Sequence, residues 1–371
     1  METLLAHAQG LVYTLLDLMP SHYQRDSLQA LLGLFLQAQG HPLPQQCKTK
    51  SASALSRFLN VYPWSTRRLI RSTRSFVLQQ ILSQPRIGRR PILQVIIDLT
   101  TLEKRGKFKL LDGLVRVFHS KRGLHLVVMY LVVGQWRVPW NFRVYRGKNH
   151  SSPAQLGLRL VQSLPSLLSQ HFQLMILVDT AFGSAEFLHG IRKLKYHAIA
   201  GVRCDRKLQD GRNVKQLCRR GQQVRLVKLK FPVSLSWYYL KRDDGRLEKR
   251  FVLSTKPLKA STINYWGKKR WQIEGWFKTA KHRFGLDQFG QGTLLGVYRW
   301  LVLSLLAYLL AHWAYLSTAS TDSPDWGKAA QLALEALLPQ LVVLLLLLES
   351  KRLTPLARSL GFDIQITCCK I

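Results

Sequence analysis

The chain has 371 residues, of which 47% are hydrophobic, enough for one large core or for two to three smaller domains. Its 55 Lys and Arg residues stand against 20 Asp and Glu residues, which gives a formal net charge of +35 at pH 7. Because so large an excess of one sign repels itself in a compact fold, the charge favours nucleic acid as a partner over an acidic protein or a membrane surface. A passive nucleic-acid binder, such as a ribosomal protein, has the same composition.

The cysteines and the N-terminal segment indicate a reducing compartment. The five cysteines lack the paired C-x-x-C spacing of a zinc ribbon; they are Cys47, Cys204, Cys218, Cys368 and Cys369. An odd number without framework spacing is typical of a reducing compartment. The segment METLLAHAQGLVYTLL has no basic region ahead of its apolar residues and carries Glu2, so it does not predict a signal peptide. We therefore expect a cytoplasmic protein.

Residues 1–88 have a helical pattern and predict an N-terminal DNA-binding region. Within them, two short helices meet at residues 61–64, where Pro63 ends the first helix and Ser65 can cap the second. The second helix begins with a basic group consisting of Arg67, Arg68, Arg71 and Arg74. This arrangement favours a helix-turn-helix with a basic recognition helix. The alternative is a solvated basic helix in an all-helical cap.

Residues 89–202 alternate between strand and helix patterns. The segments predicted as strands are 91–97, 124–133, 136–145, 174–178 and 196–202. The segments predicted as helices are 152–170, which begins at Ser152 and Pro153, and 184–194. Three strands joined by hairpins, followed by strands joined through helices, predict an α/β fold with a mixed sheet flanked by helices.

The rest of the chain continues this core and then becomes helical. Residues 203–258 are basic and strand-like, with a hairpin turn at Asp243-Asp244-Gly245, and predict an inserted β-subdomain. A further strand is predicted within them at residues 223–230. Residues 259–317 return to a helical pattern and predict the second part of the core. Residues 318–371 predict a helical C-terminal region.

Two apolar runs in these helical segments approach the composition of a membrane span. The run at residues 294–316 is interrupted by Arg299 and His312, and the run at residues 341–348 is too short to cross a bilayer. Both are more typical of buried helices in a soluble protein. We therefore expect no membrane partner.

Three of the acidic residues differ in setting from the others, most of which lie in polar turns or near the termini. Asp98 and Asp179 each follow an apolar strand, and Glu274 lies inside a helix among basic residues. Since clefts of open sheets form at the C-terminal ends of strands, two such carboxylates and a third from a facing helix can bind two metal ions about 3.5 to 4 Å apart. Hard oxygen ligands favour Mg²⁺ or Mn²⁺. The alternative is that Asp98 and Asp179 cap the following loops.

The helix around Glu274 has two distinct faces. Its charged stripe consists of Arg270, Glu274, Lys278 and Lys281. Its apolar face, about a quarter turn away, consists of Trp266, Ile273, Phe277 and Phe284. We expect the apolar face to dock on the sheet while the stripe faces the cleft. Two alternatives stay open: Glu274 and Lys278 form only a surface pair, and Trp271, which can stack on an unpaired base, is an ordinary packing residue.

Other catalytic motifs are absent from the sequence. It contains no G-x-S-x-G, no G-x-x-x-x-G-K-[ST] and no H-E-x-x-H. The histidines are scattered, and His282, which lies near the Glu274 helix stripe, fits a structural role or a phosphate contact better than a catalytic one. The sequence therefore predicts no small-molecule substrate.

Three segments, IIDLT, ILVDTAFGSAEF and KKRWQIEGWFKTAKHRF, resemble the DDE transposases of bacterial insertion sequences, specifically those of the IS-four type. That family has a Y-x2-R-x3-E-x6-K signature, and Arg270, Glu274 and Lys281 match its spacing. The tyrosine position holds Gly267 instead. The resemblance covers roughly residues 90–310 and implies an RNase H-like catalytic core with an insertion between the second aspartate and the glutamate.

This resemblance implies roles for the residues singled out above. Asp98, Asp179 and Glu274 are expected to be catalytic and to hold two Mg²⁺ or Mn²⁺ ions. Arg270 and Lys281 are expected to contact phosphates near the cleaved transposon end, and Trp271 to help hold a distorted base there. On the residues alone, Lys278 is an equally good candidate for a phosphate contact.

Three functions are compatible with these features. The first is a transposase that cuts DNA at the ends of an insertion sequence and joins them to target DNA, acting as a homodimer in the nucleoid of a bacterial cytoplasm. The second is a transposase-derived nuclease that cuts without integrating. The third is a non-catalytic DNA-binding protein, which gains nothing from carboxylates that repel phosphate.

Overall fold

The structure is a computed structural model that describes residues 2–37, 39–83, 90–104, 111, 113–118, 120–241, 244–318 and 324–367. Asp243, Cys368 and Cys369 lie outside these ranges. The chain divides into two compact units. We call them the helical unit, formed by Met1–Phe76 and Thr279–Ile371, and the sheet unit, formed by Val77–Lys278.

The helical unit contains α1 (Glu2–Asp17), α2 (His22–Gln37), α3 (Ala52–Asn60), the start of α4 (Thr66–Leu82), α10 (Leu294–Ser317), α11 (Trp326–Leu337) and α12 (Pro339–Ser359). The strands of the sheet unit are β1 (Ile92–Glu103), β2 (Val115–Phe118), β3 (Lys121–Val133), β4 (Trp136–Val144), β5 (Gln173–Val178), β6 (His197–Val202), β7 (Gln222–Val224), β8 (Val233–Lys241) and β9 (Leu247–Ser254). Its helices are α5 (Pro153–Gln162), α6 (Ser166–His171), α7 (Ala185–Lys193), α8 (Ala260–Lys269) and the start of α9 (Gln272–His282).

The sheet unit is built on one mixed sheet of these nine strands. Their order is β2-β3-β1-β5-β6-β9-β8-β7, with β4 also paired to β3. Strands β1, β5 and β6 run parallel, and the remaining pairs are antiparallel. Strand β5 is buried along almost its whole length, as expected of a central strand covered on both faces. The predicted mixed sheet with flanking helices is confirmed, with α5, α7 and α8 packed against it.

Several predicted boundaries within this sheet are wrong. Strand β1 does not end at Asp98 but continues to Glu103, because its second half keeps an antiparallel partner in β3 after β5 has ended. The helix predicted over residues 152–170 is two helices, α5 and α6, separated by a break that includes Pro165, whose ring and missing N–H interrupt a helix. Strand β2 was not predicted at all.

The insertion is part of the main sheet and not a β-subdomain with a sheet of its own. Strand β9 pairs with β6, so β9, β8 and β7 extend the sheet outward from the parallel strands. This pairing satisfies backbone groups of β6 that an edge strand would leave open. The strand predicted at residues 223–230 is reduced to the short edge strand β7.

The helical unit is organised around α10. This helix is apolar all round, and it contacts α1, α2, α3 and α11, which cover a surface that no single partner could bury. Helix α10 is long and apolar enough for a membrane span, but 78% of its most apolar window is buried inside the protein. Helix α10 belongs to the same compact unit as the N- and C-terminal helices. The predicted division at residues 259–317 stays a prediction.

The predicted turn between two N-terminal helices is confirmed, and a buried arginine holds it. Helix α3 ends at Asn60 and α4 begins at Thr66, with the Ser65 hydroxyl accepting a hydrogen bond from the Arg68 N–H. Arg299 of α10 is only 2% exposed. Its guanidinium donates to acceptors around this turn, namely the carbonyls of Phe58, Leu59, Tyr62 and Trp64 and the hydroxyl of Thr66. It also lies 4.1 Å from the centre of the Trp64 ring.

Replacing Arg299 with methionine is expected to destabilise the protein by roughly 3 kcal/mol or more, because several buried carbonyls lose their donor at once. The measurement is urea unfolding followed by circular dichroism. Arg68→Met is the matched control, because Arg68 is exposed on α4, and its change should stay within about 0.5 kcal/mol. Equal losses in the two variants would show that Arg299 does not hold the turn.

Candidate active site

The sheet places two of the predicted carboxylates side by side. Strands β1 and β5 pair in parallel with Ile97 opposite Val178, so Asp98 and Asp179 are the next residues on neighbouring strands. Parallel neighbours lie about 4.8 Å apart. Strand β5 ends at Val178, and Asp179 leads into the short 3-10 turn Thr180–Phe182. The two aspartates therefore lie at the point where the parallel pairing ends and the cleft of the sheet opens.

Arg270 connects Asp98 to the third predicted carboxylate. One terminal nitrogen of its guanidinium donates to Asp98 Oδ2 at 2.6 Å, and the other donates to Glu274 Oε1 at 2.8 Å. The side chains of Arg270 and Asp98 are only 11% and 13% exposed, whereas Glu274 is 39% exposed. Asp98 Oδ1 accepts a further hydrogen bond from the Leu99 N–H. Two carboxylates of the predicted triad thus contact a buried cation supplied by the chain itself.

The three carboxylates and Arg270 shift one another's pKa values. Burial raises the pKa of Asp98 to about 6; Asp179 and Glu274 add to the rise, while Arg270 opposes it. Burial alone would lower the pKa of Arg270, but the negative charges of Asp98, Asp179 and Glu274 outweigh it and the net shift is upward. Arg270 therefore stays protonated and compensates the carboxylates. The ionised carboxylates in turn are stabilised by positive charge placed next to them.

The donor set suits hard divalent ions in its chemistry. Three carboxylates from two strands and a helix converge on one positive group, and carboxylate oxygens are the ligands that Mg²⁺ and Mn²⁺ prefer. Across the described part of the chain, no three His, Cys, Asp or Glu side chains approach closely enough to form a metal cluster. At the triad, the guanidinium of Arg270 lies between Asp98 and Glu274 and donates to both.

The helix that carries Glu274 is not continuous, contrary to prediction. Helix α8 ends at Lys269 and α9 begins at Gln272, with Arg270 and Trp271 between them. The Trp271 N–H donates to the Lys268 carbonyl and the Glu274 N–H to the Trp271 carbonyl, a three-residue spacing that tightens the backbone locally. At this junction, the Arg270 side chain points toward the carboxylates of Asp98 and Glu274.

Apolar contacts fix both helices on the sheet. In α9, Ile273, Trp276 and Phe277 are buried, and the Trp276 ring stacks on Tyr130 of β3 with 5.1 Å between ring centres. In α8, Gly267 is buried where a Cβ atom would lie 3.1 Å from Val252 and 3.2 Å from the Tyr238 ring. The predicted apolar face is therefore confirmed for Ile273 and Phe277. The departure at Gly267 also has a physical setting, because any side chain here would crowd Val252 and Tyr238 on strands β9 and β8.

The other residues singled out around Glu274 lie on α9 or just before it. Trp271 is 40% exposed, and the Arg270 guanidinium lies 5.3 Å from the centre of its ring. Lys278 is exposed, and Lys281 is half-buried in the last turn of α9. His282, the last residue of α9, is exposed, and it makes none of the contacts to the three carboxylates given above. Their contacts with DNA stay predictions.

The basic group of the N-terminal region lies in the helical unit. Arg67, Arg68 and Arg71 are all exposed in the first two turns of α4, whereas Arg74 is half-buried. Their side chains are available to a polyanion, and none of them belongs to the triad. Their role as DNA contacts stays a prediction.

Two residues that sequence reasoning missed line the cleft beside Asp179. Tyr238 of β8 and Arg250 of β9 are paired opposite each other in the antiparallel register and share a pocket with Asp179, Arg270 and Trp271. No local motif marks either residue. Only the pairing of β9 with β6 brings this part of the insertion to the cleft. A sequence signal would have required knowing that the insertion extends the main sheet.

Comparisons with known proteins assign the family. No curated protein matches the sequence. Among solved structures, a piggyBac transposase in a synaptic complex with hairpin DNA is similar with a TM-score of 0.48 and 13% identity, over 90% of this chain and 77% of that chain. The sequence profile described as "Transposase DDE domain" matches residues 90–310, well over half of the chain, and this match carries the assignment. The chain belongs to the DDE transposase family and acts in DNA transposition.

Proposed function

We propose that this transposase cuts DNA at the ends of an insertion sequence and joins them to target DNA, using Asp98, Asp179 and Glu274 to hold two Mg²⁺ or Mn²⁺ ions. The observation that carries the proposal is the convergence of these three carboxylates, from two adjacent strands and a helix, on one buried positive group. Bound divalent ions would activate the attacking water or 3′-hydroxyl and stabilise the leaving oxygen.

The chain's own groups account for the other requirements of the reaction. The sheet holds Asp98 and Asp179 in fixed register, and Glu274 at the start of α9 accepts from the same guanidinium as Asp98. Exposed Lys278, with Lys281 one turn further on, offers positive charge to a DNA backbone along the same helix. Trp271 presents part of its ring to solvent beside these groups, where it can stack on an unpaired base.

The finer parts of the proposal follow from the sequence resemblance. We place the enzyme with the IS-four type, with an RNase H-like core in the sheet unit and DNA contacts from Arg67, Arg68 and Arg71 in the helical unit. We expect a homodimer on DNA, since two transposon ends must be brought together, and a location in the nucleoid of a bacterial cytoplasm. A transposase-derived nuclease shares the triad and differs only in lacking strand transfer. A non-catalytic binder is disfavoured, because buried carboxylates beside phosphate cost affinity.

Asp98→Ala, Asp179→Ala and Glu274→Ala should each lower Mg²⁺-dependent cleavage by roughly a thousandfold or more, because each removes a ligand for ions that supply several kcal/mol of charge stabilisation. Binding to the DNA ends should stay largely intact. Cleavage of a fragment carrying the element's own ends and binding by fluorescence anisotropy measure the two effects. Asp205→Ala is the control, since Asp205 is exposed and pairs with Arg203. Near-normal cleavage by any triad variant would remove that residue from the site.

Lys278→Ala and Lys281→Ala test the proposed DNA path along α9. If each lysine neutralises one phosphate, each variant should flatten the dependence of log K on log salt concentration by about one unit. Binding to a fixed DNA end is measured at several salt concentrations. Lys195→Ala, on the loop before β6, is a matched charge control. An unchanged slope identifies a lysine that DNA does not contact.

The pKa of Asp98 predicts a pH dependence of cation binding. Because burial raises this pKa to about 6, Asp98 takes up a proton as the pH falls through that value and can no longer ligate a cation. Binding of Ca²⁺, as an ion that does not support cleavage, should weaken by about tenfold per pH unit below pH 6 if one proton is displaced per ion. Calorimetric titrations at pH 5, 6 and 7.5, with circular dichroism to verify folding, make the measurement. Equal affinity across this range contradicts a ligand role for Asp98.

A further inference from the structure

Arg270 occupies an unusual position for a residue that is expected to contact DNA. Its side chain is 11% exposed, and both of its terminal nitrogens are engaged with carboxylates inside the protein. The bond to Asp98 links residues 172 positions apart in the sequence. The guanidinium in this state is turned toward the proposed metal ligands, and its hydrogen-bonding edge is not presented to a DNA backbone.

This arrangement conflicts with metal binding at the same carboxylates. Asp98 Oδ2 accepts from Arg270, and Asp98 Oδ1 accepts from the Leu99 N–H, so both oxygens of this side chain are already engaged. Glu274 Oε1 accepts from the second guanidinium nitrogen. A divalent ion placed between Asp98 and Glu274 would meet a positive charge at hydrogen-bonding distance from its ligands. Arg270 and the ion therefore compete for one place.

The local structure offers Arg270 another position. It lies at the junction of α8 and α9, outside the regular part of either helix, and borders the pocket that Asp179 and Trp271 share. A phosphate group is the natural alternative partner, because a guanidinium donates two parallel hydrogen bonds to phosphate as well as to carboxylate. Moving the guanidinium from the carboxylates to a phosphate would free two ligands and gain one DNA contact.

We propose that Arg270 is a resident counter-ion that keeps divalent ions out of the site until a DNA phosphate draws its guanidinium away from Asp98 and Glu274. The proposal rests on the proposed function, since it assumes that these carboxylates are the metal ligands. Metal ions and DNA then bind with positive coupling through one positioning residue, and the coupling acts equally in both directions. In the absence of DNA, Arg270 thereby keeps the site from binding the divalent ions that the reaction requires.

The test measures Ca²⁺ binding to the full chain by calorimetry, without DNA and with a fragment carrying the element's ends. Arg270→Gln removes the charge at the site, and Lys195→Gln removes the same charge from an exposed position on the loop before β6. Without DNA, Arg270→Gln should bind Ca²⁺ at least about tenfold more tightly than the wild type, because a site filled for nine-tenths of the time by its own counter-ion loses that factor in apparent affinity. Lys195→Gln should change the affinity much less.

The outcomes separate this proposal from the proposed function. If Arg270→Gln binds Ca²⁺ no more tightly than Lys195→Gln, Arg270 assembles the site and the counter-ion proposal is overturned. If Arg270→Gln tightens Ca²⁺ binding but the wild type with Mg²⁺ does not cleave its ends, the counter-ion proposal stands and the transposition chemistry fails. If neither protein binds Ca²⁺ even with DNA, both proposals are wrong. Arg270→Lys, which keeps a positive charge but loses the two-pronged geometry, should give an intermediate Ca²⁺ affinity and covers the case in which the glutamine variant does not fold.

Discussion

The in-register parallel pairing of β1 with β5 is the constraint on which the site depends. Because Ile97 lies opposite Val178, the pairing leaves Asp98 and Asp179 as neighbours at the end of a buried stretch of sheet. Two carboxylates in that setting are costly unless positive charge is close. The position of Arg270, the break between α8 and α9 and the orientation of Glu274 are all consistent with meeting that need.

The same constraint links stability to function. A buried carboxylate whose pKa is raised to about 6 is a poor choice for holding a fold together, and its ionised form is favoured here by Arg270 and by the Leu99 N–H. Such a group is a good choice for attracting divalent ions, because the low dielectric that penalises its charge also strengthens its pull on a cation. In the structure, the cation that compensates Asp98 and Glu274 is the guanidinium of Arg270. This view accounts for a triad that is adjacent and yet does not form a closed metal cluster among the described residues.

Much of the sheet unit could be predicted from the sequence, and the errors share one cause. The apolar strands before Asp98 and Asp179, the hairpin of β3 with β4 and the α9 apolar face were predictable because periodicity is a local property. Strand β1 was predicted to end at Asp98, yet it continues, because a partner far along the chain pairs with it. The insertion was predicted as a separate subdomain, yet it extends the main sheet through β9 and β6. A local sequence pattern does not reveal which strands become neighbours in the sheet.

The sequence by itself determined the family and the large positive charge, and it singled out three carboxylates as site candidates, because all of these depend on residue type and spacing alone. Tertiary structure decided which of these groups contact one another. It showed that Arg270 lies between Asp98 and Glu274, that Gly267 packs closely against β8 and β9, and that buried Arg299 holds the turn between α3 and α4. Each of these depends on contacts between residues distant in the chain. A side chain is buried only once the chain has folded, and burial is what lets Arg270 act as a counter-ion and Arg299 hold the turn.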